Sequence, residues 1–273
     1  MSIYKVKEKK HELRCYGTCF LINDNKLLTA SHILIEGCEI YIFYCNSWVR
    51  CSVIKQDKRL DLALLKPVFD IKDKHFEYQI IISNSEVHSE YFSEESLIQQ
   101  KSTGKVIRKN TVSSINIDST IVNYGIYHGA SGCPIICNST NKLVGILTWT
   151  KNGKSGGCVL RLILQFVNSI SLSNSVRFGL DIFCKYNDIS AIVLNSNTDS
   201  IKSGKEIKKI NGNPIGNKFV SIESMVYFSE TDICHVTYND GTSQVVELKP
   251  YTNCQYCFDK PLSNVTFLDD IIC

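Results

Sequence analysis

The chain has 273 residues, of which 44% are hydrophobic and 21% are charged, and its formal net charge is +3. This composition is ordinary for a soluble globular protein with room for one large or two modest domains. The small positive charge gives no ground for nucleic-acid or membrane binding. No apolar run is long enough to span a bilayer.

Thirteen cysteines raise the question of redox state. In a secreted chain they would suggest a disulfide framework, but their number is odd and the first residues lack the apolar core of a signal peptide. We therefore expect a cytoplasmic protein with reduced, mostly buried thiols. Cys254 and Cys257 form a lone C-x-x-C without a second pair at metal-ligand spacing, so neither a metal nor an organic cofactor is expected.

His32 is the first candidate catalytic residue along the chain. Residues 17–22 and 26–31 flank an Asn-Asp-Asn turn, which predicts two strands with His32 at the end of the second. Asp61 precedes the apolar run 62–65 and is predicted at a strand boundary. These two residue types can work as a pair, because a carboxylate holds the imidazole in the tautomer that accepts a proton.

The segment Gly-Ala-Ser-Gly-Cys-Pro at residues 129–134 supplies a third group, the hydroxyl of Ser131. A serine hydroxyl is a poor nucleophile until an imidazole takes its proton. Gly129 and Gly132 tolerate the dihedral angles that turn backbone N–H groups toward a developing oxyanion. The order His, Asp, Ser is that of the chymotrypsin fold, and it differs from the orders in α/β-hydrolases and subtilisins.

Together these contexts resemble the trypsin-like serine proteases, and most closely their HtrA/Deg branch. That branch has G-S-G-F near the histidine strand, D-[IL]-A-[LV]-L at the aspartate and G-N-S-G-G-P at the serine. This chain departs from it at Ala130 and Cys133. The resemblance implies two six-stranded β-barrels, with His32 and Asp61 from the first, Ser131 from the second and a catalytic cleft between them. It also implies oxyanion donors at the backbone N–H groups of Gly129 and Ser131.

Each of the three candidates also has a purely structural interpretation. Ser131 is then a turn residue, His32 a core residue and Asp61 a helix or turn cap. Asp57 is the competing carboxylate, but it lies in a polar loop without the apolar run that follows Asp61. Cys133 is the competing nucleophile. Viral cysteine proteases of this fold have their cysteine at the position of Ser131, which favours a packed thiol at Cys133.

Three segments are predicted: a trypsin-like protease domain at 1–172, a PDZ-like domain at 173–258 and a tail at 259–273. Short apolar segments separated by polar turns, such as 39–44, 77–82 and 114–117, predict a mainly β fold up to about residue 165. Residues 160–171 have apolar residues at helical spacing and are predicted to form the helix that closes the barrel domain.

The second block resembles the PDZ domain that follows the protease in HtrA/Deg proteins. Phe178, Gly179 and Leu180 match its carboxylate-binding loop, and residues 204–215 match its G-D-x-I-x-x-[IV]-N-G-x-x-[IV] segment except at Lys205. The resemblance implies binding of peptide C-termini, or a module that has kept only a packing role. Several lysines in 202–209 either favour an acidic ligand or form a solvated face.

The resemblance implies that the primary specificity pocket is lined by residues about six positions before Ser131 and by the strand after the next hairpin. Its candidate residues are Gly125, Ile126, His128, Thr148, Trp149 and Thr150. No carboxylate stands among them, which disfavours cleavage after Lys or Arg and favours a small or medium apolar residue. Trp149 has a plain packing role as its alternative, and His128 a place on the rim.

The function predicted from the sequence is that of a serine endopeptidase acting on protein or peptide substrates. The resemblance further implies C-terminal peptide ligands for the PDZ-like block and a homo-oligomer, often a trimer in this family. The alternative is a binding or scaffold protein that keeps a protease fold with little or no turnover.

Overall fold

The computed structural model describes residues 2–8, 17–23, 25–79, 84–93, 99–107, 119–169, 177–216, 221–250, 253–254 and 266–267. These residues fall into two compact units. The first holds the described residues up to 169 together with 266–267, and the second holds those from 177 to 254. The predicted domain boundary, between residues 172 and 173, lies outside the described residues and stays a prediction.

The first part of the larger unit is a closed antiparallel barrel of six strands, in the order β1-β2-β3-β6-β5-β4. Alternating apolar residues fill its interior, among them the fully buried Leu27, Ile42 and Leu65. The strands are β1 (Ile3–Glu8), β2 (Gly17–Asn23), β3 (Lys26–Thr29), β4 (Ile40–Tyr44), β5 (Ser47–Asp57) and β6 (Leu62–Pro67).

The second part of this unit is a further set of β-strands that closes with a helix. Its elements are β7 (Glu86–Phe92), β8 (Gln99–Lys105), β9 (Ser119–Val122), β10 (Cys133–Cys137), β11 (Leu143–Leu147), β12 (Trp149–Lys151), β13 (Lys154–Cys158) and α1 (Leu160–Asn168). Strands pair in the orders β11-β10-β7-β8 and β12-β13-β9. Single bridges from Val106 to Val122 and from Gly145 to Val159 connect these two sheets. Six strands thus form a second ring, and the predicted mainly β double-barrel fold is confirmed.

A buried lysine joins the two barrels. The Lys55 ammonium on β5 donates to the carbonyl oxygen of Ser169 at 2.8 Å, and it also contacts the Ser169 hydroxyl and the carbonyl oxygen of Phe166. These acceptors lie at the carboxyl end of α1, where unpaired carbonyl groups and the helix dipole favour a cation. The first barrel therefore caps the helix that closes the second.

The smaller unit is one sheet with a short helix. It comprises β14 (Phe178–Gly179), β15 (Ile182–Tyr186), β16 (Ala191–Ser196), β17 (Glu206–Ile210), β18 (Asn213–Pro214), α2 (Ile222–Val226), β19 (Ile233–Tyr238), β20 (Ser243–Glu247) and β21 (Lys249–Pro250). The sheet order is β15-β16-β17-β19-β20, β18 pairs with β17, and β14 pairs with β21. Its core is almost entirely aliphatic. The PDZ-like nature of this unit stays a prediction.

Several details of the sequence-based elements differ in the structure. The predicted helix 160–171 ends at Asn168, and Ser169 caps it with extended backbone angles. In the segment 77–82, Tyr78 forms only a single bridge, and residues 80–82 lie outside the described part of the chain, as do 114–117. The predicted tail contains β22 (Thr266–Phe267), which pairs with Trp149 and Thr150 of the larger unit.

The ten cysteines that the structure describes are all free thiols, and most of them are buried. Cys257, the partner of Cys254 in the C-x-x-C motif, lies outside those residues. Among the helices that the structure describes, none has the length and apolar character required to cross a membrane.

Candidate active site

The first barrel brings His32 and Asp61 together. His32 lies in the turn after β3, and Asp61 immediately precedes β6, which pairs with β3. His32 Nδ1 is 2.7 Å from Asp61 Oδ2, and the backbone N–H of His32 donates to Asp61 Oδ1 at 2.9 Å. Both carboxylate oxygens are thus engaged by one residue, and this fixes the imidazole relative to the strand pair.

The backbone around this pair is also held in place. Asp61 has a φ of 54°, in the left-handed region, and its carbonyl oxygen accepts from the N–H of Ser31 at 3.2 Å. Gln56 on β5 donates its Nε2 to the Ser31 hydroxyl at 2.9 Å. The residue before His32 is therefore anchored to two neighbouring segments of the barrel.

Ser131 lies in the turn before β10 of the second barrel, and its Oγ is 3.0 Å from His32 Nε2. Because Asp61 accepts the proton of Nδ1, Nε2 is left as the acceptor for the serine hydroxyl. Ser131 is 0% exposed, whereas the His32 side chain remains 15% exposed. The structure thus places the three predicted residues in one continuous hydrogen-bonded line.

The loop that carries Ser131 has its carbonyl groups tied down. Tyr127 O accepts from Ala130 N at 3.1 Å, and Ala130 O accepts from Cys133 N at 2.9 Å. Gly129 O accepts from the hydroxyl of Thr18 at 2.8 Å. Across the described ranges, no backbone carbonyl accepts from the N–H of Gly129 or of Ser131. These two N–H groups are the predicted oxyanion donors, and both remain available.

Gly132 shows why the residue after Ser131 is glycine. Its φ is 83°, and a Cβ at this position would lie 2.4 Å from Thr18 O and 2.5 Å from Thr29 Oγ1. Glycine is therefore required at this position for two reasons, because a side chain would both strain the backbone and collide with β2 and β3 of the first barrel.

The first testable prediction concerns Gly132→Ala. Backbone strain and the collision together should lower the free energy of unfolding by about 2–5 kcal/mol. Gly153→Ala is the matched control, since its φ of 70° is similar but nothing lies within 4 Å of the new Cβ. That control should lose only about 1–2 kcal/mol. Urea unfolding curves measure the free energy of unfolding of both variants. Equal losses would contradict the prediction, because the collision at Gly132 would then add nothing to the backbone strain.

The two competing residues have other roles. Asp57 Oδ1 accepts from the N–H groups of Arg59 and Leu60, each at 3.0 Å, so Asp57 caps the turn that leads to Asp61. Cys133 is the first residue of β10 and is fully buried. Burial raises the pKa of its thiol far above the ordinary value, so the nucleophilic thiolate does not form near neutral pH.

The expected specificity residues differ in accessibility. Gly125 is exposed and lies beside Gly153, and His128 is half-buried. Ile126 packs in the core of the second barrel, and Thr148 is also buried. The Trp149 indole covers Gly156, where a Cβ would lie 2.4 Å from the ring, and the Thr150 hydroxyl donates to Lys154 O. This contact with Gly156 supports the packing alternative for Trp149, and its place in the specificity pocket stays a prediction.

The predicted carboxylate-binding loop of the smaller unit has a defined setting. Phe178 and Gly179 form β14, and Leu180 is buried in the aliphatic core. The next residue, Asp181, accepts from the Lys249 ammonium at 3.1 Å. In the part of the chain that the structure describes, no group of three His, Cys, Asp or Glu side chains is arranged to hold a metal ion.

The larger unit has the trypsin-like double-barrel fold. Residues 17–146 match the family model of the trypsin-like peptidase domain. A search of the curated proteins finds no match.

The solved structures that resemble this chain include several HtrA-type proteases. The HtrA-type protease AlgW with a tripeptide has a TM-score of 0.64 and 17% identity, over 91% of this chain and 94% of its own. The serine endoprotease from Yersinia pestis has a TM-score of 0.59 and 17% identity, over 98% and 94%. The active form of the Rv3671c protease from M. tuberculosis has a TM-score of 0.53 and 12% identity, over 61% and 79%. At these identities the likeness establishes the fold, and the fold is that of HtrA-type proteases.

Proposed function

We propose that this protein is a serine endopeptidase. The observation that carries the proposal is the line from Asp61 through His32 to Ser131, with 2.7 Å at one end of the imidazole and 3.0 Å at the other. Both contacts are within the hydrogen-bonding range that a nucleophile and its base require. The two barrels hold this line from opposite sides, so its geometry does not depend on a single loop.

The residues act in a defined order. Ser131 Oγ attacks the carbonyl carbon of the scissile peptide bond while its proton passes to His32 Nε2. Asp61 stabilises the imidazolium that forms and keeps Nδ1 protonated. The negative oxygen of the tetrahedral intermediate accepts from the backbone N–H groups of Gly129 and Ser131. His32 then protonates the leaving amine, and water hydrolyses the acyl-enzyme by the same steps.

Peptides and proteins are the proposed substrates. Solved structures of the HtrA-type protease AlgW include complexes with a tripeptide and a decapeptide, which supports a peptide substrate here. We further propose cleavage after a small or medium apolar residue. The candidate pocket residues that remain accessible, Gly125, His128 and Thr150, include no carboxylate for a basic side chain.

The smaller unit is proposed to bind peptide C-termini. β15 is the first strand in the described sheet order and pairs there with β16, and modules of this kind recognise a peptide as a strand added beside such a strand. The predicted carboxylate-binding loop directly precedes this edge. The Tyr186 hydroxyl at the end of β15 donates to Glu223 of α2 at 2.8 Å, so the edge and the helix that would flank a peptide are connected.

One observation favours the alternative of a binding protein without turnover. Ser131 is fully buried in this structure, so a substrate carbonyl must displace neighbouring groups to reach its hydroxyl. If those groups do not move, the three residues are assembled but inaccessible, and the protease fold serves only as a scaffold.

A fluorophosphonate probe separates the two functions. It reacts only with an activated and accessible serine, so mass spectrometry of the intact wild-type chain should show one adduct, located on the peptide that contains Ser131. His32→Ala should slow labelling strongly, and Ser131→Ala should abolish it. Ser139→Ala, in the exposed turn after β10, is the matched serine control and should label like the wild type. Absence of the adduct on the wild type would favour the binding protein.

A further inference from the structure

Thr18 on β2 of the first barrel contacts the nucleophile loop of the second barrel through two groups. We propose that Thr18 is the positioning residue that sets the oxyanion site by holding the carbonyl group of Gly129. This inference rests on the proposed peptidase function and adds to it a residue that touches neither the substrate nor the reacting atoms.

The contacts of Thr18 lie on both sides of Ser131. Its backbone N–H donates to the carbonyl oxygen of Ser131, and its hydroxyl donates to the carbonyl oxygen of Gly129, each at 2.8 Å. Thr18 is fully buried. Where water is excluded, a buried carbonyl group that loses its donor cannot bond to solvent instead, and the loss costs free energy. Both contacts of Thr18 therefore constrain the loop strongly.

The direction of the hydroxyl bond follows from its surroundings. The backbone N–H of Phe92, at the end of β7, donates to Thr18 Oγ1 at 3.3 Å. A hydroxyl has one proton, and an N–H group offers it no acceptor. The proton of Thr18 Oγ1 is therefore directed to Gly129 O. One side chain of the first barrel thus connects the last residue of β7 with the nucleophile loop.

This bond fixes one peptide plane. The group between Gly129 and Ala130 is held at its oxygen by Thr18 and at its nitrogen by the carbonyl of Tyr127. It cannot rotate without breaking both bonds. Gly129, with a φ of 86°, connects this fixed plane to the preceding one, whose N–H is the proposed oxyanion donor. Loss of the Thr18 hydroxyl would leave this plane held by one bond instead of two, and the donor would be held less firmly toward the oxyanion.

The test compares Thr18→Val with Thr18→Ser. Valine has nearly the same shape and suits a strand, but it leaves Gly129 O without its donor, whereas serine keeps the hydroxyl. Oxyanion donors act in the transition state, so Thr18→Val should lower kcat about 10- to 100-fold with little change in KM. Affinity for a peptide boronic acid, which mimics the tetrahedral intermediate, should fall by a similar factor. Thr18→Ser should retain most of both.

Thr120→Val, a buried threonine of β9 away from the loop, is the control for loss of a hydroxyl inside the unit, and its kcat should stay near that of the wild type. If Thr18→Val does not fold, two other comparisons test the inference. The kcat of Thr18→Ser is compared with that of the wild type, and the boronic acid affinity is measured for Thr18→Ala. Unchanged kcat and boronic acid affinity in a folded Thr18→Val would overturn this inference. Absence of fluorophosphonate labelling on the wild type would instead overturn the proposed function itself.

Discussion

Ser131→Ala is expected to lower peptide hydrolysis by about 10⁴- to 10⁶-fold while the protein stays folded. The substitution removes only the hydroxyl that attacks the substrate. The backbone of the turn keeps its anchors, because Thr18 N donates to Ser131 O and Gly132 N donates to Leu147 O, each at 2.8 Å. Steady-state hydrolysis of a quenched fluorescent peptide library measures the loss, and circular dichroism checks the fold.

Ser139→Ala is the control for this substitution, since Ser139 lies exposed in the turn between β10 and β11. Its hydrolysis rate should equal that of the wild type. A Ser131→Ala protein that kept more than a few per cent of the activity would show that another residue acts as the nucleophile, and the acyl-enzyme mechanism at Ser131 would be wrong.

Asp61→Asn should lower kcat by about 10⁴-fold, since an asparagine amide can turn its NH₂ group toward His32 and stabilise the tautomer with the proton on Nε2. That tautomer cannot accept the proton of Ser131. Asparagine is also among the residues that best tolerate the left-handed region, so the φ of 54° at this position should persist. The loss should therefore appear in kcat rather than in the free energy of unfolding.

Asp57→Asn is a matched control four residues earlier. The side-chain oxygen of asparagine can still accept from the N–H groups of Arg59 and Leu60, so this variant should keep its activity and its stability. Equal activity of the two variants would contradict the assignment of Asp61 as the residue that orients His32.

The sequence allowed the barrel fold to be predicted because its local signals agree with one another. Apolar segments alternate with Asn, Asp and Ser turns, and each of His32, Asp61 and Ser131 lies at the start or end of such a segment. The pairing of Thr266–Phe267 with β12 was missed, because a two-residue strand is too short to show periodicity. The end of α1 was misplaced by a few residues for a related reason. Apolar spacing continues to residue 170, but Ser169 leaves the helical region.

Within the candidate site, the residue types and their order could be predicted from the sequence. The hydrogen bonds by which distant segments hold the nucleophile loop could not. Unusual backbone dihedral angles were predicted for the glycines beside Ser131, and the positive φ values of Gly129 and Gly132 agree with that prediction. Thr18 gave no such signal, since a threonine in an apolar strand looks like an ordinary β-residue. Its acceptor, Gly129 O, is 111 residues away along the chain, and only the docking of two barrels brings them together.

The division of the site between the barrels also has a consequence for synthesis. His32 and Asp61 lie next to strands of the first barrel that leave the ribosome well before Ser131, and they can form their hydrogen bonds once that barrel closes. That nascent barrel holds a base without a nucleophile. The serine gains its partner only when the later strands fold and Gly132 packs against β2 and β3. If Ser131 is the nucleophile, the catalytic site is therefore absent until the strands of the second barrel have emerged and folded.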